Sequence, residues 1–375
     1  MIEIIQTLTI NSISEKEFLE MRTRWNSLLG GSITNEVFLL WEWVDAWWSS
    51  FKDNEKQLYI LIGKNSNGEL VGIAPLYREN NRIPGFGIRK IIKFCCSGDA
   101  YPDHLDFICE RGYEKLFPKA ALEYLKKKEN EWDAIRLEGI KENSVVKNGL
   151  LDGPRDNHYI IECIPESKCP YLAIKSSFEE YLKSFSRKKR ETLMRKRRKL
   201  LNKENVVYKT VDRKEDPRKH IEDLFSLHAG RANRKGIKTT FCGNHILNFH
   251  KKFIFSSLSE NRIVISFLYE DSIPLVVYYC IRYNNKYYYY QSGISYEGEN
   301  KSAGVVLLSL VIEKAFNEKC TEFDFLRGEE EYKYYWTKDF RYDYSIIIRK
   351  KGFGGSMASG AFTFIERLRT LKGYF

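Results

Sequence analysis

Metal-type cysteine spacing is missing from this chain. Its eight cysteines (Cys95, Cys96, Cys109, Cys163, Cys169, Cys242, Cys280 and Cys320) form no Cys-x-x-Cys pair and no zinc-like pattern with histidine, so they read as small apolar residues and no metal is expected. Proline is scarce, at 9 of 375 residues, while 43% of positions are apolar and 14% aromatic, which excludes a disordered, collagenous or linker-dominated chain. No apolar run approaches the roughly 18 to 20 residues that a membrane-spanning helix needs. Met1 to Ile10 lacks the basic region and long apolar stretch of a secretory signal. A cytoplasmic protein, free or peripheral to the inner face of the membrane, is therefore expected. Absent too are a Gly-x-Ser-x-Gly elbow, a phosphate-binding Gly-x-x-x-x-Gly-Lys-Ser/Thr loop and a His-Glu-x-x-His helix, which sets aside hydrolase, nucleotidase and metalloprotease chemistry.

What is present is length and positive charge. At 375 residues the chain exceeds one typical domain and favours two, each with its own core. The net charge is +11, which points to an anionic partner: nucleic acid, a CoA or nucleotide phosphate, an anionic glycan or a membrane surface. The charge is local. Ser186 to Lys199 holds nine basic residues against Glu191 alone, so eight of the eleven net positive charges fall within fourteen positions. Leu182, Phe185, Leu193, Leu200 and Leu201 interleave the run, giving a helix with a sparse docking face and a cationic remainder, either solvated or in contact with phosphate or sulfate.

Periodicity supplies the organisation. Val37, Trp41, Val44 and Trp48 share one helical stripe and Trp43, Trp47 and Phe51 another, predicting a buried helix from Asn35, a candidate cap, to Phe51. Leu58–Gly63 and Leu70–Tyr77 flank an Asn-Gly turn and predict a hairpin. Strands at Ile91–Phe94 and Asp106–Ile108, a helix over Tyr113–Lys128 and a strand at Ala134–Leu137 follow. A similar order recurs later: hairpin Ile263–Tyr269 and Ile273–Tyr283, strand Tyr287–Tyr290, helix Gly304–Asn317, strand Glu322–Phe325. A structural duplication accounts for this, with its boundary in Pro165–Pro170. The expected domains are 1–165 and 170–350, the second including the basic helix at 186–204, with a tail at 351–375 whose segment Phe362–Leu371 suits a short amphipathic helix.

Several of these stretches resemble one family. Phe38-Leu-Leu-Trp-Glu-Trp-Val-Asp-Ala-Trp-Trp48, Leu70-Val-Gly-Ile-Ala-Pro-Leu-Tyr77 and Gly98-Asp-Ala-Tyr-Pro-Asp-His-Leu-Asp-Phe107 look like the N-terminal half of the CelD-like acyltransferases. These are a branch of the GNAT superfamily associated with cellulose and other exopolysaccharide clusters. Ser184-Phe-Ser-Arg-Lys-Lys-Arg190, Leu227-His-Ala-Gly-Arg231, Ser302-Ala-Gly304 and Glu322-Phe-Asp-Phe-Leu-Arg-Gly-Glu-Glu-Glu-Tyr-Lys333 with Trp336 resemble its C-terminal half, so the likeness spans roughly residues 35 to 350. It implies an α/β (α+β) fold of two tandem GNAT-like domains, each a mixed sheet flanked by helices, as in the related Fem-type aminoacyl transferases that add amino acids to peptidoglycan precursors.

The resemblance also implies acyl transfer from acetyl-CoA, a co-substrate rather than a resident cofactor, to an amino sugar or related precursor, lipid- or nucleotide-linked, in envelope or exopolysaccharide synthesis. The usual Arg/Gln-x-x-Gly-x-Gly/Ala signature for pyrophosphate is missing. In its place stand Lys301, Ser302, Ala303 and Gly304, whose N–H groups at a helix start are candidates to hold phosphate, with simple capping as the alternative. The densest polar cluster follows a strand. There Arg327 and Lys333 are candidates to bind an anionic donor or substrate, Asp324 or Glu330 to accept a proton, and Tyr332 to donate or stack, an internal salt-bridge network being the alternative. Asp99, Tyr101, Asp103, His104 and Asp106 cluster within eight positions as a base or sugar-binding group, or as turn-capping residues. His228 lies one turn from Arg231, and Tyr287–Tyr290 alternates between core and groove. The acceptor is expected near Asp103, His104 and Asp324–Lys333. The alternatives are a Fem-like aminoacyl-tRNA-dependent transferase, with Arg187–Lys199 on tRNA phosphates, and a non-catalytic binder of an anionic partner that keeps the fold.

Overall fold

The computed structural model describes residues 7–83, 87–152, 158–211, 215–237, 239, 241 and 243–351. The start of the strand that the pattern Ile2–Ile10 predicts, the loop with Pro84 and Gly85 that is expected before Ile91–Phe94, Cys242 and the tail with Phe362–Leu371 lie outside them. The chain divides into two compact units, residues 1–168 with 341–375, and residues 169–340. The division falls in the Pro165–Pro170 stretch. This stretch is no linker but part of the strand Tyr159–Ala173. The strand Phe340–Lys350, which sequence order leaves with the second half, pairs with Ala134–Lys141 of the first. A long strand at the chain's end can rejoin an early sheet, and nothing in its local sequence announces that.

In the first unit the Asn65–Gly68 turn forms as expected: Gly68 has φ +79° and the strands Leu61–Lys64 and Leu70–Ala74 pair antiparallel. Thr9–Ser12 and Ile108–Cys109 complete this four-stranded sheet. The flanks of the predicted hairpin go elsewhere. Pro75 interrupts the strand, and Leu76–Ile83 pairs with Lys56–Leu58 and Gly87–Phe94 in a second sheet. Gly87–Phe94 in turn pairs parallel with Ala134–Lys141, and the helix Leu116–Lys127 lies between these two strands in sequence. The tryptophan helix runs Trp41–Phe51, with Trp41 to Trp48 all buried. Asn35 does not cap it: a 3-10 turn at Val37–Leu39 intervenes, and Asn26 of the preceding helix accepts the Trp41 N–H at 3.1 Å.

The second unit repeats the pattern. Val206–Thr210, Ile263–Glu270, Ile273–Tyr283 and Lys286–Ile294 form an antiparallel run, with a bulge between Tyr279 and Cys280. Lys286–Ile294 then pairs parallel with Glu322–Asp324, which pairs antiparallel with Tyr171–Ala173. The helix Ala303–Asn317 connects the parallel strands and buries Val306, Leu307, Val311 and Ile312 in the core. The basic run forms the helix Arg187–Leu201, and Leu193 and Leu200 dock it on that core. Leu182 and Phe185 are buried as expected but precede the helix, which starts afresh where Ser186 Oγ accepts the Lys189 N–H at 3.3 Å.

Burial leaves a pH signature in this unit. His250, on the helix Asn244–Ser257, is fully buried among Phe249, Phe241, Tyr290 and Tyr279, at ring separations of 4.6, 4.9, 5.2 and 5.7 Å. Desolvation pushes its pKa down from 6.5 to about 3. The unfolded chain then binds the extra proton between these values and the folded one does not. Stability is therefore expected to fall as pH drops from about 6.5 towards 3, by about 1.4 kcal/mol per pH unit from this group. Urea midpoints across that range check it: His250→Phe should flatten the slope.

Candidate active site

The parallel pairing in the second unit is brief. It covers only Lys286–Tyr288 against Glu322–Asp324, while the longer strand continues to Ile294. Past that point a cleft of about 510 Å³ opens, lined wholly by residues of this unit. Its floor includes Tyr289, Ser292 and Gly293 of the long strand, and Gly304 and Leu308 of the helix Ala303–Asn317. Two glycines let the walls approach. A Cβ on Gly293 would stand 2.6 Å from the His228 backbone nitrogen, and one on Gly298 would stand 2.4 Å from the Leu275 carbonyl oxygen.

Three tyrosines dominate the wall. The rings of Tyr278 and Tyr289 lie 5.1 Å apart, and those of Tyr289 and Tyr332 6.1 Å apart. Desolvation drives all three hydroxyls well above the ordinary tyrosine range. They stay protonated at neutral pH and serve as hydrogen-bond or proton donors. Tyr278 Oη already donates to the Gly304 carbonyl at 3.0 Å. His228 braces the wall from behind, with Nδ1 2.8 Å from the Ser292 carbonyl oxygen and Nε2 2.7 Å from Thr239 Oγ1. Burial lowers its pKa, which fits a neutral structural imidazole.

The charge cluster after Glu322–Asp324 builds a turn. Asp324 is fully buried, and its Oδ1 accepts the Leu326 N–H at 2.8 Å. Leu326 and Gly328 take positive φ of 57° and 114°. The buried Lys333 ammonium donates to the carbonyls of Leu326, Arg327 and Gly328 and pairs with Glu330 at 2.9 Å. This scaffold carries the short helix Glu331–Tyr334 and so presents Tyr332 to the cleft. Lys333→Met is expected to cost about 2–3 kcal/mol, since it strands charge-assisted hydrogen bonds. A thermal melt checks this: an unchanged midpoint with abolished activity would make Lys333 a reacting group instead of a strut.

Of the residues expected at the site, Tyr332 and Gly304 line the cleft; Asp324, Glu330, Lys333 and Arg327 hold or lie in the turn beside it. Ser302 begins the cleft helix in a left-handed conformation, φ 57°, and makes no side-chain cap. Ala303 is buried. Lys301 does not stand ready for phosphate: its ammonium is bound by Glu270, which also holds Lys203 at 3.0 Å. In the first unit Asp103 and His104 are fully buried. His104 Nδ1 lies 2.8 Å from Asp343 Oδ1, and its backbone N–H donates to Asp343 Oδ2 at 2.9 Å. Asp106 caps a helix by accepting the Val145 and Val146 N–H groups at 2.7 and 2.8 Å, and burial pushes its pKa up to about 7. Asp99 binds Trp47 Nε1 at 3.0 Å and Lys56 at 3.1 Å. Asp99, His104 and Asp106 are thus engaged in pairs and a cap.

Sequence reasoning missed Glu299, gave Arg231 no role of its own, and reached Lys196 and Glu331 only within the wider spans Arg187–Lys199 and Asp324–Lys333; all four line the cleft. The signal for Lys196 is its position one turn after Thr192 on the basic helix, facing the same way; the surrounding charge density hides it. That helix is more than a solvated face. Arg197 pairs with Glu313 at 2.5 Å and Lys189 donates to the Tyr335 carbonyl, whereas the exposed Arg187 pairs only within the helix, with Glu191 at 2.7 Å.

Residues 187–334 match the family model of the acetyltransferase (GNAT) domain. The matched span lies in the second unit and includes every lining residue of the cleft except Tyr335 and Trp336. Among solved structures, FemX is 11% identical over 90% of this chain and 96% of its own, with a TM-score of 0.61. The C-terminal domain of a putative lysylphosphatidylglycerol synthetase from Agrobacterium fabrum is 10% identical, covering 92% and 95%, at 0.56. L-PGS from Bacillus licheniformis is 11% identical, covering 96% and 100%, at 0.54. These likenesses show the fold alone, a mixed α/β arrangement in which each of the two units has strands in both parallel and antiparallel pairing together with helices. No curated protein matches the sequence. Among the described residues no helix is long and apolar enough to cross a membrane.

Proposed function

We propose that the second unit is an N-acyltransferase that moves an acyl group, acetyl from acetyl-CoA, onto the amine of a sugar-type acceptor, as the CelD-like resemblance implies. The observation that carries this reading is the cleft itself. A strand outruns its parallel partner, three protonated tyrosines face the gap, and the N-terminal turn of the helix Ala303–Asn317 opens onto it. The first N–H groups of a helix have no intrahelical acceptor and favour an anionic group such as the donor's pyrophosphate. In this reading the acceptor nitrogen attacks the thioester carbonyl carbon, the C–S bond breaks, and the leaving sulfur takes a proton from Tyr332. The ammonium proton goes to Glu331, a cleft carboxylate without an ion pair among the described residues. Tyr289 is placed to donate to the developing oxyanion.

A second reading has an aminoacyl-tRNA as donor. It is favoured by the basic helix, which lends Thr192 and Lys196 to the cleft and leaves Lys188, Arg195, Arg198 and Lys199 exposed. It also fits the resemblance to FemX and to a putative lysylphosphatidylglycerol synthetase. Thiol release from acetyl-CoA in the presence of glucosamine and related amino sugars tests the first reading. Acceptor-dependent release supports it. No release with any amine, together with amino-acid transfer from charged tRNA, overturns it in favour of the second. Donor affinity should then fall steeply with salt, as counterion release requires for a polyanion.

A further inference from the structure

The cleft holds two cations that the donor's place at the helix start does not use. Arg231 comes from the helix Arg218–Lys235 and lines the cleft. Its Nε is buried with no hydrogen-bond partner among the described residues. Its nearest carboxylate, Glu299, lies at 3.9 Å, beyond hydrogen-bond reach, and is shared with Arg234 at 3.8 Å. Arg234 is already committed, donating to the Ile294 carbonyl at 2.6 Å. Two guanidinium groups thus face one carboxylate. The charge of Arg231 also acts on the hydroxyls of Tyr278 and Tyr332, which places it beside the tyrosine wall.

Lys196 enters from the basic helix. Its inward neighbours are engaged, Lys189 by the Tyr335 carbonyl and Arg197 by Glu313. Lys196 lines the cleft without a carboxylate partner among the described residues. A buried donor left unsatisfied costs free energy, and a cleft lined by one together with an ammonium that has no carboxylate partner among the described residues suits a ligand that supplies acceptors. The ligand that matches a planar guanidinium and an ammonium together is an oxyanion.

We propose that Arg231 and Lys196 form an anion-binding pair in the cleft that takes a phosphate or carboxylate group of the acyl acceptor. The acceptor is then an amine that also carries negative charge, such as a phosphorylated amino sugar or an amine with a carboxylate. Assignment to the acceptor rests on the acyl-transfer reading; the anion site itself does not.

The test uses the full chain and two probes, pyrophosphate and citrate, titrated separately and followed by tryptophan fluorescence, since Trp336 lines the cleft. At least one probe should bind. Arg231→Gln and Lys196→Gln should each weaken that binding by about tenfold or more, while Arg231→Lys and Lys196→Arg, which keep the charge, should retain most of it and report that the fold survives. Arg195→Gln and Arg198→Gln, on the exposed face, should change it less than about twofold. Binding of pyrophosphate alone assigns a phosphate and of citrate alone a carboxylate. If neither probe binds, or if the exposed-face variants weaken binding as much as the cleft variants, the proposal is overturned. Anion binding that persists in a protein without transferase activity would leave this site standing and remove the acyl-transfer reading.

Discussion

Gly293→Ala is expected to destabilise the second unit by about 3 kcal/mol and to abolish transfer with it. The added methyl would lie 2.6 Å from the His228 nitrogen and the Leu227 Cβ, and 2.9 Å from the Leu227 carbonyl carbon. Most of these atoms belong to the helix main chain, which cannot swing aside as a side-chain tip can. Relief requires the helix Arg218–Lys235 to move off the strand, carrying Arg231 and the His228–Ser292 contact with it. Gly30→Ala supplies the contrast. It lies in the helix Arg22–Gly31 with nothing within 4 Å of the new methyl, and should be neutral or slightly stabilising, because alanine favours helix over glycine. Urea midpoints of the two variants measure the difference.

Tyr332→Phe is expected to lower kcat by about 100-fold while KM and the thermal midpoint stay near those of the unaltered protein. The hydroxyl is the only group removed, and the ring keeps its place near Tyr289. Desolvation pushes this hydroxyl above the ordinary tyrosine range, so the proton lost in the variant is one held at neutral pH. An equal fall in the Tyr278→Phe variant would point to a shared donor network. A full rate in Tyr332→Phe would remove Tyr332 from the chemistry, leaving it a wall of the cleft.

Much of the fold could be read from local pattern. The Asn-Gly hairpin, the tryptophan helix, the strand–helix–strand order in each half and the basic helix all rest on periodicity and turn chemistry, which act over a few residues. What failed was long-range. The return of Phe340–Lys350 to the first unit, the split of the predicted hairpin between two sheets at Pro75 and the Asn26 cap on Trp41 depend on partners far away in sequence. The site shows the same limit. Charges crowded at Asp324–Lys333 mark an important turn, yet sequence alone could not tell a scaffold from a reacting group, because Lys333 acts on carbonyls that any residue carries. Tyr332 and Gly304 were visible through their neighbours' pattern. Arg231 and Lys196 appeared only inside longer stretches, since their place in one cleft depends on two helices far apart in sequence.

The central claim is that the second unit's cleft receives the acyl donor. Hydrogen exchange of the full chain with and without CoA tests it most directly, because amide protection maps where the ligand sits without needing the acceptor. The account predicts slowed exchange in Tyr289–Ile294, Ala303–Leu308 and Glu331–Trp336, with the first unit little changed. Protection confined to residues 7–152, or none in any of those cleft segments at saturating CoA, would contradict it.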